Sequence, residues 1–248
     1  MKIWVFTVVH NEEAMAPWFL RHYGQFAERI LVWDAGSTDR TRQIFASHPS
    51  VSLFDWPGPN GIDEDYNLHF AYDTYPCARG KADWCIWVDC DEMVWHPDIR
   101  TLLKSLKDFV YGYSIDVIGT AGFNMVGDGL PKNGYWHKQI WELNPMGIQA
   151  PVYSKPVVFR PEAKVRWLRG KHALEDCAPV VSEKPLLKLL HYRYLGAAYT
   201  AQKNAKNYER CIDKGPAWSC APNFNGEHSA QWAEAAKAQA FNVLEAAI

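Results

Sequence analysis

From Ile3 onward, short apolar runs alternate with stretches of helical periodicity. Ile3 to Val9 is an uncharged apolar run suited to a strand covered on both faces. Asn11 then stands where it can cap a helix, with Glu12 and Glu13 in the first turn and Met15, Trp18, Phe19, Tyr23 and Phe26 as the apolar face. Arg29 to Trp33 predicts a second strand. It leads into Asp34-Ala35-Gly36-Ser37-Thr38-Asp39, where Gly36 permits a tight turn and Ser37 caps a helix reaching Ser47. Val51 to Phe54 predicts a third strand, and Trp56 to Gly61 a loop. Asp63 to Tyr75 follows as a helix with Tyr66, Phe70 and Ala71 inward. Trp84 to Val88 is the fourth strand. Pro97 opens a helix lined by Ile99, Leu102, Leu103, Leu106 and Phe109.

Four repeats of strand then helix predict an α/β fold: a mostly parallel central sheet, right-handed crossovers and helices on both faces. Ligands of such sheets bind beyond the carboxyl ends of the strands. Those ends read His10-Asn11-Glu12, Asp34-Ala35-Gly36, Asp55 and Asp89-Cys90-Asp91-Glu92, so polar groups gather along one rim. After Tyr111 the pattern loosens into short strands at 112–119, 157–160 and 186–190 around a glycine-rich stretch from Gly119 to Gly147. Helices at about 197–213 and 228–247 close the chain.

The 248 residues suffice for one α/β domain without a disulfide or metal staple. With 48% hydrophobic and 22% charged residues, disordered and collagenous classes are excluded, and no apolar run approaches the roughly 20 residues of a membrane span. Met1-Lys2 passes directly into a strand-like run, so no secretory leader is expected. The expected location is the cytoplasm, with peripheral membrane attachment as the alternative. The six cysteines form no CxxC pair, which favours free thiols.

The net charge of −2 hides two opposed segments. Residues 63–98 hold nine acidic groups against Arg79 and Lys81, and residues 155–171 balance at +5. The first is suited to a divalent cation and the second to phosphate groups; a solvated surface is the ordinary alternative for each. Asp89-Cys90-Asp91-Glu92 is the sharpest feature, because a buried strand running into alternating carboxylates aims them at one point. Hard oxygen ligands select Mn²⁺ or Mg²⁺, which can neutralise a diphosphate leaving group.

Three segments, "HNEE" after the first strand, "DAGSTDRT" after the second and "DCDE" after the fourth, together resemble the GT-A nucleotide-sugar glycosyltransferases of the family 2 type, in the bacterial branch that carries DxDE. "SKPVVFRP" at 154–161, "GKHAL" at 170–174 and "LLHYRYLG" at 189–196 are similar to later segments of that branch. The resemblance implies a GT-A Rossmann-like domain, with a nucleotide-sugar-binding half at 1–115 and an acceptor-side half with C-terminal helices at 116–248. It implies a donor site of Val9, Asn11, Glu12, Asp34, Asn67, Asp89, Cys90 and Lys155, with Glu12 and Asp34 on base and ribose. Asp89, Asp91 and either His172 or His191 would hold Mn²⁺ or Mg²⁺. The chain departs from the family at Ala35, where a polar residue is usual, and Trp33 is a possible replacement contact.

The reaction implied is transfer of a sugar from a nucleoside diphosphate, UDP foremost, to an acceptor hydroxyl with inversion. It calls for a general base, for which Glu142 and Asp176 are the candidates. The acceptor class stays open among a glycan, a lipid-linked sugar, a protein and modified nucleic acid, as does the oligomeric state. Two other readings compete: a non-catalytic sugar or nucleic-acid binding module, and a DxD phosphatase. The phosphatase expects its motif on the first strand, followed by Thr or Val, and here it is on the fourth, followed by Glu92.

Overall fold

The computed structural model describes residues 1–107, 115–131, 135, 137–175, 181–211 and 226–246. Its first half alternates β1 (Ile3–Val9), α1 (Ala16–Tyr23), β2 (Arg29–Asp34), α2 (Thr41–Ala46), β3 (Val51–Asp55), α3 (Glu64–Thr74) and β4 (Trp84–Trp87). There follow β5 (Glu92–Trp95), α4 (Ile99–Lys107), β6 (Val117–Ile118), β7 (Thr120–Gly127), α5 (Ile140–Leu143), β8 (Met146–Gln149) and β9 (Val158–Phe159). The chain continues through β10 (Leu187–Leu195), α6 (Ala197–Arg210), α7 (Gly226–Lys237) and β11 (Phe241–Asn242).

The expected α/β sheet is present. Its strand order is β3-β2-β1-β4-β9-β6, parallel from β3 to β4 and antiparallel at β9 and β6. From β1 the chain builds outward to β2 and β3 on one side, then returns to lay β4 on the other. The crevice beyond the carboxyl ends of β1 and β4 is therefore the switch point where such sheets take ligands. A second sheet, β11-β8-β7-β10-β5, stands beside it. The halves expected at residue 115 interlock: β6 and β9 complete the first sheet, and β5 lies in the second.

Alternation along the strands divides the core. Ile3 and Val5 of β1 join Phe19, Tyr23, Phe45 and Leu103 on one face, while Trp4 and Phe6 join Leu68, Ala71 and Trp167 on the other. On the second face an aromatic ladder crosses four strands. Trp87 stacks on Phe6 (5.2 Å, 7°), Phe6 on Trp33 (6.3 Å, 6°) and Trp33 on Phe54 (5.3 Å, 21°). Near-parallel rings on neighbouring strands contribute about 0.5–1.5 kcal/mol per pair beyond burial, which accounts for part of the high tryptophan content. Trp33 is thus a core residue.

Several expected boundaries differ. Asn11 does not cap α1, which starts at Ala16 after a Met15 cap, so Glu12 and Glu13 precede the helix. Ser37 does not cap α2 either; its hydroxyl accepts the Asn11 backbone N–H (2.9 Å). β5 follows the acidic motif directly, where acidic character masked a strand whose Met93 and Val94 are fully buried. The glycine-rich stretch holds β7 and β8, with Gly122 packed so closely on Tyr153 that a Cβ would lie 2.2 Å from its carbonyl carbon. The last helix stops at Lys237. Beyond it, the buried Lys188 ammonium donates to the carbonyls of Val243 and Ala246 (2.6 Å each), which diverts them from helical pairing, and Phe241 pairs with β8.

Cys77, Cys85 and Cys90 are free. Cys211 is disulfide-bonded, contrary to the expectation of free thiols throughout. Spacing along the chain excludes metal patterns but not a disulfide, which depends on how close the fold brings two Cα atoms. Among the described residues, no helix is long and apolar enough to cross a membrane.

Candidate active site

A cavity of about 810 Å³ opens at the switch point. Val9, His10 and Glu12 line it from β1, Ala35 from β2, Trp56, Asn67 and Leu68 from the β3–α3 region, and Asp89, Cys90 and Asp91 from beyond β4. The second sheet adds Asn124, His191, Arg193 and Tyr194, and the segment between β8 and β10 adds Tyr153, Lys155, Lys171 and His172. Lys203, Asn207 and Arg210 face it from α6, and Trp232 from α7.

The two first motifs are stitched together by side chains bonding to backbone. Asn11 has φ of 51°, a left-handed conformation that Asn tolerates better than most residues. Its Oδ1 accepts the N–H groups of Thr38 (2.8 Å) and Asp39 (3.3 Å). Thr41 Oγ1 accepts the Glu12 N–H (2.7 Å), and Asp39 Oδ2 that of Glu13 (3.2 Å). This lacing aims the Glu12 carboxylate at the cavity. Asp34 does not line it: Oδ1 accepts the Ser37 N–H (3.1 Å), and Oδ2 faces Arg42 (3.3 Å), which also pairs with Asp55 (2.8 Å). Asn11 and Asp34 are therefore loop-fastening residues.

The acidic motif is held with equal rigidity. Glu92 is fully buried; its N–H donates to Asp89 O (3.0 Å) and its Oε2 accepts the Asp89 N–H (3.1 Å). Its other oxygen takes the Lys155 ammonium at 2.5 Å, and the same ammonium is 3.9 Å from Asp89. On the far side of the motif, Lys203 lies 2.9 Å from Asp91 and 2.9 Å from both oxygens of Glu12. Burial alone would raise the Asp91 pKa, but Lys203, with His191 and Arg193, holds it well below the usual carboxylate range. Burial dominates at Glu12 and Glu92, whose pKa values are raised despite their lysines. It also pushes the Cys90 thiol far up, leaving a neutral lining group.

Both late histidines reach the cavity. Burial lowers the His191 pKa to about 3, so the ring is neutral. Its Nδ1–H donates to Asn124 Oδ1 (2.9 Å), leaving the Nε2 lone pair 3.8 Å from Asp91 Oδ2. His172 is also neutral at pH 7, its pKa lowered by burial and by Lys155. Its Nδ1–H is directed at the Val152 carbonyl, so Nε2 is the free nitrogen. A backbone or amide oxygen fixing one ring nitrogen is the usual support for a histidine that ligates through the other. Carboxylate oxygens plus imidazole nitrogen suit Mn²⁺ or Mg²⁺ in kind. Among the described residues, no three such side chains converge tightly enough to grip an ion as they stand.

The base candidates fare differently. Glu142 does not line the cavity; it closes a capping box on α5, its carboxylate accepting the Gln139 N–H (2.5 Å). Asp176 lies outside the described residues. The basic segment is largely absorbed by structure as well. Arg160 lies over Trp84 and donates to the carbonyls of Ile115 and Leu106, and Arg169 pairs with Asp65. Of the segment's six cations, Lys155, Arg169 and Lys171 line the cavity.

The residues that sequence reading missed come mostly from the C-terminal third. Lys203, Asn207 and Arg210 stand at i, i+4 and i+7 on α6, a polar stripe at helical spacing that was the available signal. Arg193 lay within the quoted segment at 189–196 without being singled out, and Tyr153, Asn124 and Trp232 had no signal.

No family model matches the chain, and no curated protein sequence matches it. Solved structures to which it is similar include glucosyl-3-phosphoglycerate synthase from Mycobacterium tuberculosis, at 19% identity and TM-score 0.35, over 50% of this chain and 44% of that one. Mannosyl-3-phosphoglycerate synthase from Rubrobacter xylanophilus matches at 15% identity and TM-score 0.31, over 54% of this chain and 42% of that one. A putative nucleotide-diphospho-sugar transferase from Desulfovibrio desulfuricans matches at 12% and TM-score 0.30, over 51% and 59%. The matched region spans less than two thirds of each of these proteins.

Proposed function

We propose that the chain is a metal-dependent glycosyltransferase that moves a sugar from a nucleoside diphosphate, UDP foremost, to an acceptor hydroxyl with inversion. One observation carries the reading: the switch-point cavity gathers Glu12, Asn67, Asp89, Asp91, Lys155, His172 and His191 from six separate segments into one lined space. Val9, Asn67 and Leu68 form the end suited to base and ribose, with Glu12 reaching inward. Asn11 and Asp34 serve this end through the loops they fasten. Asp89 and Asp91 with His191 or His172 would hold Mn²⁺ or Mg²⁺, whose chemistry is to neutralise the departing diphosphate. Lys155 and Lys171 place further positive charge beside Asp89.

With Glu142 outside the cavity, Asp176 is the proposed base. It follows His172, a cavity residue, by four positions. A binding module without turnover is the second reading, favoured by the single lysine, Lys203, that already pairs with both Asp91 and Glu12. Calorimetric titration with UDP, with and without Mn²⁺, followed by UDP release from a panel of UDP-sugars, decides between them. Metal-dependent binding with slow release supports the transferase, binding without release the module, and no nucleotide binding removes both.

A further inference from the structure

Register along β10 is broken where it passes the cavity. His191 pairs with Asn124 of β7 but Tyr194 pairs with Val126, so one extra residue is accommodated between them. Such a bulge re-aims side chains, and here His191, Arg193 and Tyr194 all reach the cavity, which a regular alternating strand would not allow. Arg193 is also held from behind. Its Nε donates to Oδ1 of Asn204, a residue only 1% exposed, at 2.5 Å.

Three of the other cations that line the cavity are already committed, while Lys171 and Arg210 line it as well. Among the described residues, Lys155 is bound to Glu92, Lys203 to Glu12 and Asp91, and Arg169 to Asp65. Arg193 has no ion-pair partner among them, and the two terminal nitrogens of its fork remain for a ligand. A guanidinium oriented through Nε and open at both Nη atoms matches the bidentate geometry of a phosphate or carboxylate.

We propose that Arg193 binds an anionic group on the acceptor, so that the substrate class is a hydroxyl compound carrying a phosphate or carboxylate. This rests on the glycosyltransferase reading. The acceptor is favoured over the donor diphosphate by placement. Arg193 enters from the second sheet beside Tyr194, on which Trp232 packs at 4.4 Å, whereas the Asp89 side has Lys171 for a diphosphate.

The test uses the full chain saturated with UDP and Mn²⁺, titrated calorimetrically with glycerol, glycerol 3-phosphate, methyl glucoside and glucuronate. The anionic members are expected to bind roughly 10- to 100-fold more tightly than their neutral counterparts. Arg193→Gln is expected to abolish that preference while UDP affinity holds. Arg193→Lys, which keeps the charge and protects against a folding defect, is expected to restore part of it, with melting curves confirming that both variants fold. Equal affinity for charged and neutral probes in the wild type overturns the proposal. So does Arg193→Gln weakening UDP and not the anionic probes, which would assign the fork to the diphosphate. If UDP fails to bind the wild type, the glycosyltransferase reading falls separately. Glycerol 3-phosphate binding to the free protein, lost in Arg193→Gln, would then still uphold an anion site at Arg193, and its absence would overturn it.

Discussion

Lys203 of α6 places its ammonium 2.9 Å from Asp91 Oδ2 and 2.9 Å from both carboxylate oxygens of Glu12, joining the C-terminal helix to the ends of β1 and β4. Glu12 and Asp91 are 79 positions apart, and Lys203 lies more than a hundred beyond either. One side chain thus ties α6 to the carboxyl ends of two neighbouring strands of the first sheet. Lys203→Met removes the only cation bonded to Asp91 among the described residues and leaves two carboxylates crowded together. It is expected to lower stability by about 3–5 kcal/mol in denaturant unfolding. Excess Mn²⁺ should raise its melting temperature more than that of wild type, because a divalent ion can take over the lost positive charge. An unchanged unfolding midpoint would show the triad to be energetically idle.

Asp91→Asn preserves size and tests the metal role. Its carboxylate is held ionised by Lys203 and faces the His191 Nε2 lone pair at 3.8 Å, so the amide costs the site a full negative charge. UDP binding in Mn²⁺ is expected to weaken roughly 10- to 100-fold, and binding in chelator to change little. Equal loss in both conditions would place Asp91 in nucleotide contact without metal.

Asp34→Ala separates loop fastening from ligand contact. The buried carboxylate accepts the Ser37 N–H and faces Arg42, so removing it is expected to cost about 1–3 kcal/mol and show as a lower melting temperature. UDP affinity of the folded fraction should hold. Loss of affinity at unchanged melting temperature would move Asp34 into the ligand site.

Asp176→Asn is expected to reduce UDP-sugar turnover by roughly 10² to 10⁴ with UDP affinity retained, as for loss of a proton acceptor. Glu142→Gln should spare turnover and cost about 1 kcal/mol or less through the α5 capping box. A large turnover loss in Glu142→Gln would mean that α5 moves to the cavity during the reaction.

Much of this was legible because burial writes itself into sequence. β1, β2 and β4 are apolar runs covered on both faces, and the rim residues at their ends follow from α/β topology alone. Motif residues were legible as important, but not how they act. Asn11 and Ser37 look like helix caps because cap and loop-lacing chemistry use the same short polar side chains, and only the fold decides which backbone N–H they meet. The roles of Lys203 and Arg193 were hidden for a different reason. Each sits in an ordinary amphipathic helix or strand, and its significance comes from partners or open space that the chain reaches only after folding.

His22 supplies a pH dependence whose sign follows from its surroundings. It is 3% exposed, its Nε2–H donates to Val94 O (2.8 Å), its Nδ1 has no partner, and Tyr23, Phe26 and Trp141 pack around it. Burial lowers its pKa to about 3 from 6.5, so the folded ring stays neutral while the unfolded ring binds a proton below pH 6.5. The unfolded state therefore takes up more protons as pH falls from 6.5 toward 3. This group's contribution drops by up to about 1.4 kcal/mol per pH unit in that window and is flat above it. His191 shifts in the same direction, and the raised Glu12 and Glu92 in the opposite one, so the wild-type curve is a sum. The difference from His22→Phe isolates one member. That variant loses the bond to Val94 at every pH, but its unfolding free energy between pH 7 and pH 5 should fall less steeply than that of wild type. Parallel curves in denaturant unfolding at pH 7, 6 and 5 would mean that His22 binds its proton equally in both states.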